Sequence, residues 1–425
     1  MSLSAFRRCT DRAMNTIDGK VQNGLFPQKK SLRDARIDVL RGLALIMIFI
    51  DHVPGNFFSN YTIRMFGFSD AAEGFVLIAG VSAGLAYSRG YYQGCYGETT
   101  ANIFQRMKTI YGVHILSSLA GIIVVLLAAS FFPLTGYVGS LGITKVITAP
   151  FETLTGLFLL TYQIAYFNIL PLYLVLFLFL PALMWLGTRS LMLMLAVSAG
   201  IFVLGRIVPL HMFNWPQGGG WYFNPFCWQF LFAIGLAGGM SAKRGERWIP
   251  FSPALFLVSL AIVLFAAYWQ FIVRDAFPWP DETPRFIADQ RKDMLALIRL
   301  ANVLALAYVL TSIPAFSVLA RSSVMRPVEV LGRASLVTFA TGSVIAMMLQ
   351  TLRAVVDTSL LQDCALLLAG FAGQYWAARW SLERRQRLRE AGRRRRVIAF
   401  VPAPLGNDDV TEQPGLSPDP DLRRQ

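Results

Sequence analysis

The chain has 425 residues, 55% of them hydrophobic, 13% aromatic and 15% charged, well under the roughly 25% charge of an ordinary soluble domain. That deficit, with runs near twenty apolar residues, excludes a soluble globular protein and indicates a polytopic helical membrane protein. The net charge of +14 is concentrated at the termini and in short connections, as the positive-inside rule requires, so nucleic acid is not needed to explain it.

Residues 1–35 are polar and basic and contain no apolar h-region, so they read as a basic cytosolic segment followed by an uncleaved anchor. The first apolar span runs from about Ile37 to Pro54 and the second from Ala71 to Ser88. A third covers about Ile110 to Phe132. Phe151 to Leu160 reads as a re-entrant or interfacial piece, and an interrupted stretch, Tyr162 to Asn168, leads into the fourth span at Ile169 to Leu186. The fifth is Leu191 to Val208. A loop from His211 to Trp221, rich in Gly, Trp and Pro, should stay out of a helix. The sixth and seventh spans are Pro225 to Met240 and Pro253 to Ile272. A polar loop, Arg274 to Asp293, precedes the eighth at Met294 to Ile313. The ninth and tenth are Leu336 to Leu352 and Leu360 to Ala378.

The expected fold is therefore all-α, with about ten transmembrane helices between residues 36 and 380 and both termini cytosolic. With that orientation the cytosolic connections hold Arg89, Arg106, Lys108, Arg189, Lys243, Arg244, Arg247, Arg321, Arg326 and Arg333. Residues 381–425 form a basic and then disordered cytosolic tail, since from Val397 onward Pro, Asp and Gly leave no core-forming pattern. Four cysteines (Cys9, Cys95, Cys227, Cys364) show neither a disulfide framework nor metal-ligand spacing.

The first two spans carry groups that lipid rejects. Asp38, Arg41, Asp51 and His52 lie in the first, and Asp70 and Glu73 open the second. Charges at membrane depth are costly and usually face a protein interior or cavity, which makes this the candidate site. Arg41 and His52 are eleven positions apart, within about 20° of one helix face and roughly 16 Å apart along it. Asp38, three before Arg41, can pair with it.

The run RIDVLRGLALIMIFIDHVPGNFF followed by AAEGFVLIAG resembles the OpgC branch of the acyltransferase type 3 membrane proteins, whose Arg-x10-His motif is matched by Arg41 and His52. One departure is Ala79-Gly80-Val81, where the wider superfamily has Ser-Gly-Phe; no role passes to a serine there. The resemblance implies a bacterial inner-membrane enzyme that succinylates osmoregulated periplasmic glucans. Acyl-CoA, as succinyl-CoA, would be its co-substrate, with no bound cofactor and no metal.

On that reading His52 is a general base toward a sugar hydroxyl, suited by an imidazole pKa near working pH. Glu73 is expected to orient the imidazole, with Asp51 the competing carboxylate. Asp70 reads more simply as a helix N-cap. Arg41 would hold the acyl donor, or else pair internally with Asp38. Arg299, Trp215 and Trp279 are candidate substrate contacts, Arg206 a snorkelling cation and His114 a structural residue. The Gly80/Gly84 and Gly235/Gly239 pairs suit close helix packing. The alternative from another class is a transporter or flippase using the intramembrane charges as a substrate or proton path, against which no matching broken-helix repeats are seen. Membrane lipid is the remaining expected partner; the sequence leaves the oligomeric state open.

Overall fold

The computed structural model describes residues 34–208, 210–273 and 289–398. The basic N-terminal segment, most of the polar loop with Trp279, and the tail assigned as disordered lie outside the described residues. Within them the protein is helical, with one isolated β-bridge between Phe213 and Gly220. Ten principal helices stand among the described residues: α1 (Ala35–Asp51), α2 (Ala71–Tyr92), α3 (Tyr96–Ala129), α4 (Ile169–Arg189), α5 (Leu191–Ile207), α6 (Pro225–Lys243), α7 (Pro253–Tyr268), α8 (Leu297–Ser312), α9 (Ser335–Arg353) and α10 (Leu360–Ile398). Compactness divides the chain after Ser381, and the candidate site falls within the first unit.

Each apolar segment expected from the sequence is helical. α3 begins at Tyr96, well before the expected Ile110, and α10 runs past Ala378. In both, a proline-free polar stretch adjoins the apolar one, and extending an existing helix costs far less than nucleating it. Six helices are long and apolar enough to cross a membrane: α2, α3, α4, α6, α7 with its extension to Val273, and α9. α8 with Pro314–Ala320, bent by 79°, would make a seventh. This is a multi-pass membrane protein by length and composition; the expectation of ten crossings adds α1, α5 and α10.

Local sequence explains the helix starts that matter for the site. Asp70 caps α2, accepting from Ala72 N at 2.8 Å, while the Glu73 carboxylate accepts from Asp70 N at 3.0 Å. This reciprocal capping box satisfies two otherwise orphaned donors. Asn224 caps α6 just before Pro225, whose missing N–H costs nothing at a first turn.

α2 and α6 pack backbone to backbone. A Cβ at Gly80 would run into the Phe232 carbonyl, and one at Gly235 into the Leu77 carbonyl; Gly84 and Gly239 are similarly closed by Leu236 and Val81. The two small-residue pairs read from the sequence thus face one another. Around them Val76, Leu172, Trp228, Leu231 and Phe232 are fully buried, which holds α2 against α4 and α6. Cys227 and Cys364 are free thiols, whereas Cys95 is disulfide-bonded, which the scattered spacing did not announce.

Candidate active site

Arg41 is seated between helices. Its guanidinium donates to the Asp38 carboxylate at 3.3 Å, to the Gly332 carbonyl at 3.2 Å and to Ser82 Oγ. Asp38 is buried, so this pair lies away from solvent. The internal salt bridge weighed in the sequence therefore forms, but it leaves Arg41 on the wall of a cavity of about 200 Å³. Arg106, Ser82, Tyr87, Ala79, Ala83 and Ala86 line that cavity too. Its lining holds two guanidiniums, one of them paired with Asp38 from outside the cavity, beside mainly apolar side chains.

His52 lies at the opposite end of α1, as its C-cap. Gln350 of α9 donates its side-chain amide to the His52 carbonyl, which fixes the backbone there. The imidazole packs on Tyr166 with ring centroids 4.6 Å apart. Tyr166 has φ 69°, the left-handed region that a bulky side chain rarely adopts, and such strain persists only where surrounding structure imposes it. Among the described residues no side chain hydrogen-bonds the imidazole. His52 also lines a small cavity with Ile48, Thr338, Phe339, Gly342 and Gln374.

The carboxylates expected beside His52 are engaged elsewhere. Glu73, fully buried, accepts from Arg299 Nε at 2.6 Å. Asp70 accepts from Lys292 Nζ at 2.5 Å and from Arg299 Nη2 at 3.3 Å. These four groups form one clasp between the start of α2 and the segment entering α8. Burial opposes the Lys292 charge, but the neighbouring Asp70 and Glu73 carboxylates outweigh it and hold the ammonium above its usual value. Asp51 points away, accepting from Thr62 Oγ1 at 2.8 Å.

The structure thus unites Arg41 with its cavity, and His52 with Tyr166 and Gln350. Glu73 and Arg299 meet each other rather than His52 or open space. Trp215 is half exposed beside Thr161, which donates to its carbonyl at 3.2 Å; Trp279 lies outside the described residues. Arg206 does not snorkel. It pairs with Asp289 at 2.8 Å and donates to the Met294 carbonyl at 3.0 Å, because a fixed partner in the α8 entry outcompetes the interface. His114 is buried, with Ser118 at 3.4 Å from Nδ1.

Sequence reasoning missed Tyr166, Gln350 and Lys292. The interrupted stretch Tyr162 to Asn168 was a usable signal for the first, since polar groups breaking an apolar run demand a tertiary reason. Lys292 was hidden in a loop that read only as polar, and Gln350 near the end of an apolar helix carried no local mark.

No curated protein and no solved structure matches the chain. A family model described as OpgC protein matches residues 33–386, a stretch that includes every element of the site just described. The chain belongs to the OpgC family, a membership that suggests a membrane acyltransferase modifying glucans.

Proposed function

We propose that the protein transfers a succinyl group from cytosolic acyl-CoA to hydroxyls of a periplasmic glucan across the inner membrane, with His52 as general base. The observation that carries this reading is the cavity holding Arg41 and Arg106, which extends along α2 toward the helix end where His52 sits. The coenzyme phosphates would meet Arg106 at one end, and Arg41 would steady the pantetheine arm. Succinyl rather than acetyl, and a glucan as acceptor, follow from the family.

In the reaction His52 takes the proton from a glucan hydroxyl as its oxygen attacks the thioester carbon. The carbon–sulfur bond then breaks, and the imidazolium returns the proton to the departing thiolate. A neutral histidine near working pH can do both. Tyr166 and Gln350 would hold the ring and its backbone. Asp51 and the Glu73–Arg299 clasp would keep the surrounding helix ends in place. Trp215 could offer the glucan a face on which to stack.

The test is transfer from radiolabelled succinyl-CoA to neutral periplasmic glucan by purified protein in detergent, where no gradient exists to drive transport. Wild-type transfer that falls by about 100-fold or more in His52→Ala, with folding preserved, supports the reading. Equal transfer by both proteins removes His52 from the chemistry, and an absence of transfer by the wild type rejects the enzyme.

A further inference from the structure

Two cavities approach one another inside the bundle and share one residue, Phe339. The larger runs along α2 from Tyr87 to Phe75, twelve residues that cover about 18 Å of helix. Ala79, Ala83 and Ala86 leave room for it between the helices. The smaller holds His52.

The helices give the register of the two. From the contact between Arg41 and Ser82, eleven residues along α1 reach His52 and seven back along α2 reach Phe75. Those steps are roughly 16 Å and 10 Å of helix rise, so the larger cavity ends at Phe75 on the side of the bundle where His52 sits. α1 and α2 pack against one another.

Phe75 and Phe339 close the larger cavity at this level. Their rings stack with centroids 6.4 Å apart and planes 21° apart, and Phe339 is 3% exposed. Phe75 is braced by Tyr173, whose hydroxyl donates to the Phe75 carbonyl at 3.0 Å and whose ring lies 5.6 Å from that of Phe75. Phe339 is the member of the pair that faces both cavities. On its other side Gly342 contributes no side chain, and a Cβ there would press on the Gln374 amide oxygen.

We propose that Phe339 is the specificity-determining residue for the acyl group: it forms the end wall against which an acyl thioester abuts, admits short acyl chains to the level of His52, and turns long ones away. This rests on the acyl-transfer reading above.

The experiment measures transfer from acetyl-, succinyl-, butyryl- and octanoyl-CoA by the wild type, Phe339→Ala and Phe339→Leu. The wild type should discriminate against octanoyl-CoA, and Phe339→Ala should raise kcat/KM for octanoyl-CoA relative to acetyl-CoA by about tenfold or more, with Phe339→Leu between. A wild type that uses octanoyl-CoA as readily as acetyl-CoA overturns the proposal even if neither variant folds. So does a ratio unmoved in both variants while acetyl transfer persists. A wild type that transfers no acyl group overturns the underlying reading instead, which separates the two failures.

Discussion

Removing Arg299 leaves the Glu73 carboxylate buried without its cation, at a cost of about 3–5 kcal/mol, whereas removing Glu73 leaves Arg299 its Asp70 partner. Arg299→Met should therefore lower the thermal midpoint of the detergent-solubilised protein more than Glu73→Gln does. The kcat of the folded fraction separates two roles for Glu73. If it serves as part of the clasp, the two variants lose activity in parallel with stability. If it orients His52 directly, Glu73→Gln loses kcat well beyond Arg299→Met. The first outcome is expected, because Glu73 already accepts from Arg299 and from the Asp70 backbone. The residue types and spacing of Arg41, Asp38, His52 and Glu73 were legible in the sequence, since charge inside an apolar run is conspicuous. Their partners were not: which carboxylate meets which cation depends on how α2 and the α8 entry approach, across more than two hundred residues of chain.

Helix contacts set that approach. α2 and α6 interlock through Gly80, Gly84, Gly235 and Gly239, so their backbones touch where any side chain would intrude. Gly80→Val or Gly235→Val should force the pair apart. Overpacking of this kind costs about 1–3 kcal/mol, and more where backbone is the obstacle. A lower thermal midpoint with a raised KM for the donor is expected, because α2 also carries Ala79, Ser82 and Ala83 on the cavity wall. Gly74→Ala, with open space around its Cβ position, is the control and should hold the midpoint or raise it slightly, since alanine is favoured over glycine in a helix by up to about 1 kcal/mol. The GxxxG spacing announced close packing, and the structure supplies the partner. The Arg206–Asp289 bond makes the same point in reverse: a cation at a helix end looks like a snorkelling residue until a loop returns a carboxylate to it.

At the scale of the molecule, succinylation would leave a chemical record in the cell. Glucans from a strain lacking this protein should lose anionic substituents and elute earlier from an anion exchanger, and complementation with the wild type but not with His52→Ala should restore them. An unchanged elution would count against a succinyl donor, while leaving transfer of an uncharged acyl group open to the CoA series above.

Hydrophobic runs determined by themselves that this is a multi-pass helical membrane protein, because lipid exacts a local price for every exposed polar group and so writes spans into short stretches of chain, and the run around Arg41 and His52 carried the resemblance to the OpgC family that the family model shows. Only the tertiary structure decided that Arg41 opens on a cavity while paired to Asp38, that Glu73 answers Arg299, and that Tyr166, Gln350 and Phe339 come together around His52. Those choices depend on distant segments meeting in three dimensions, where charge pairing and steric fit have no local sequence signature.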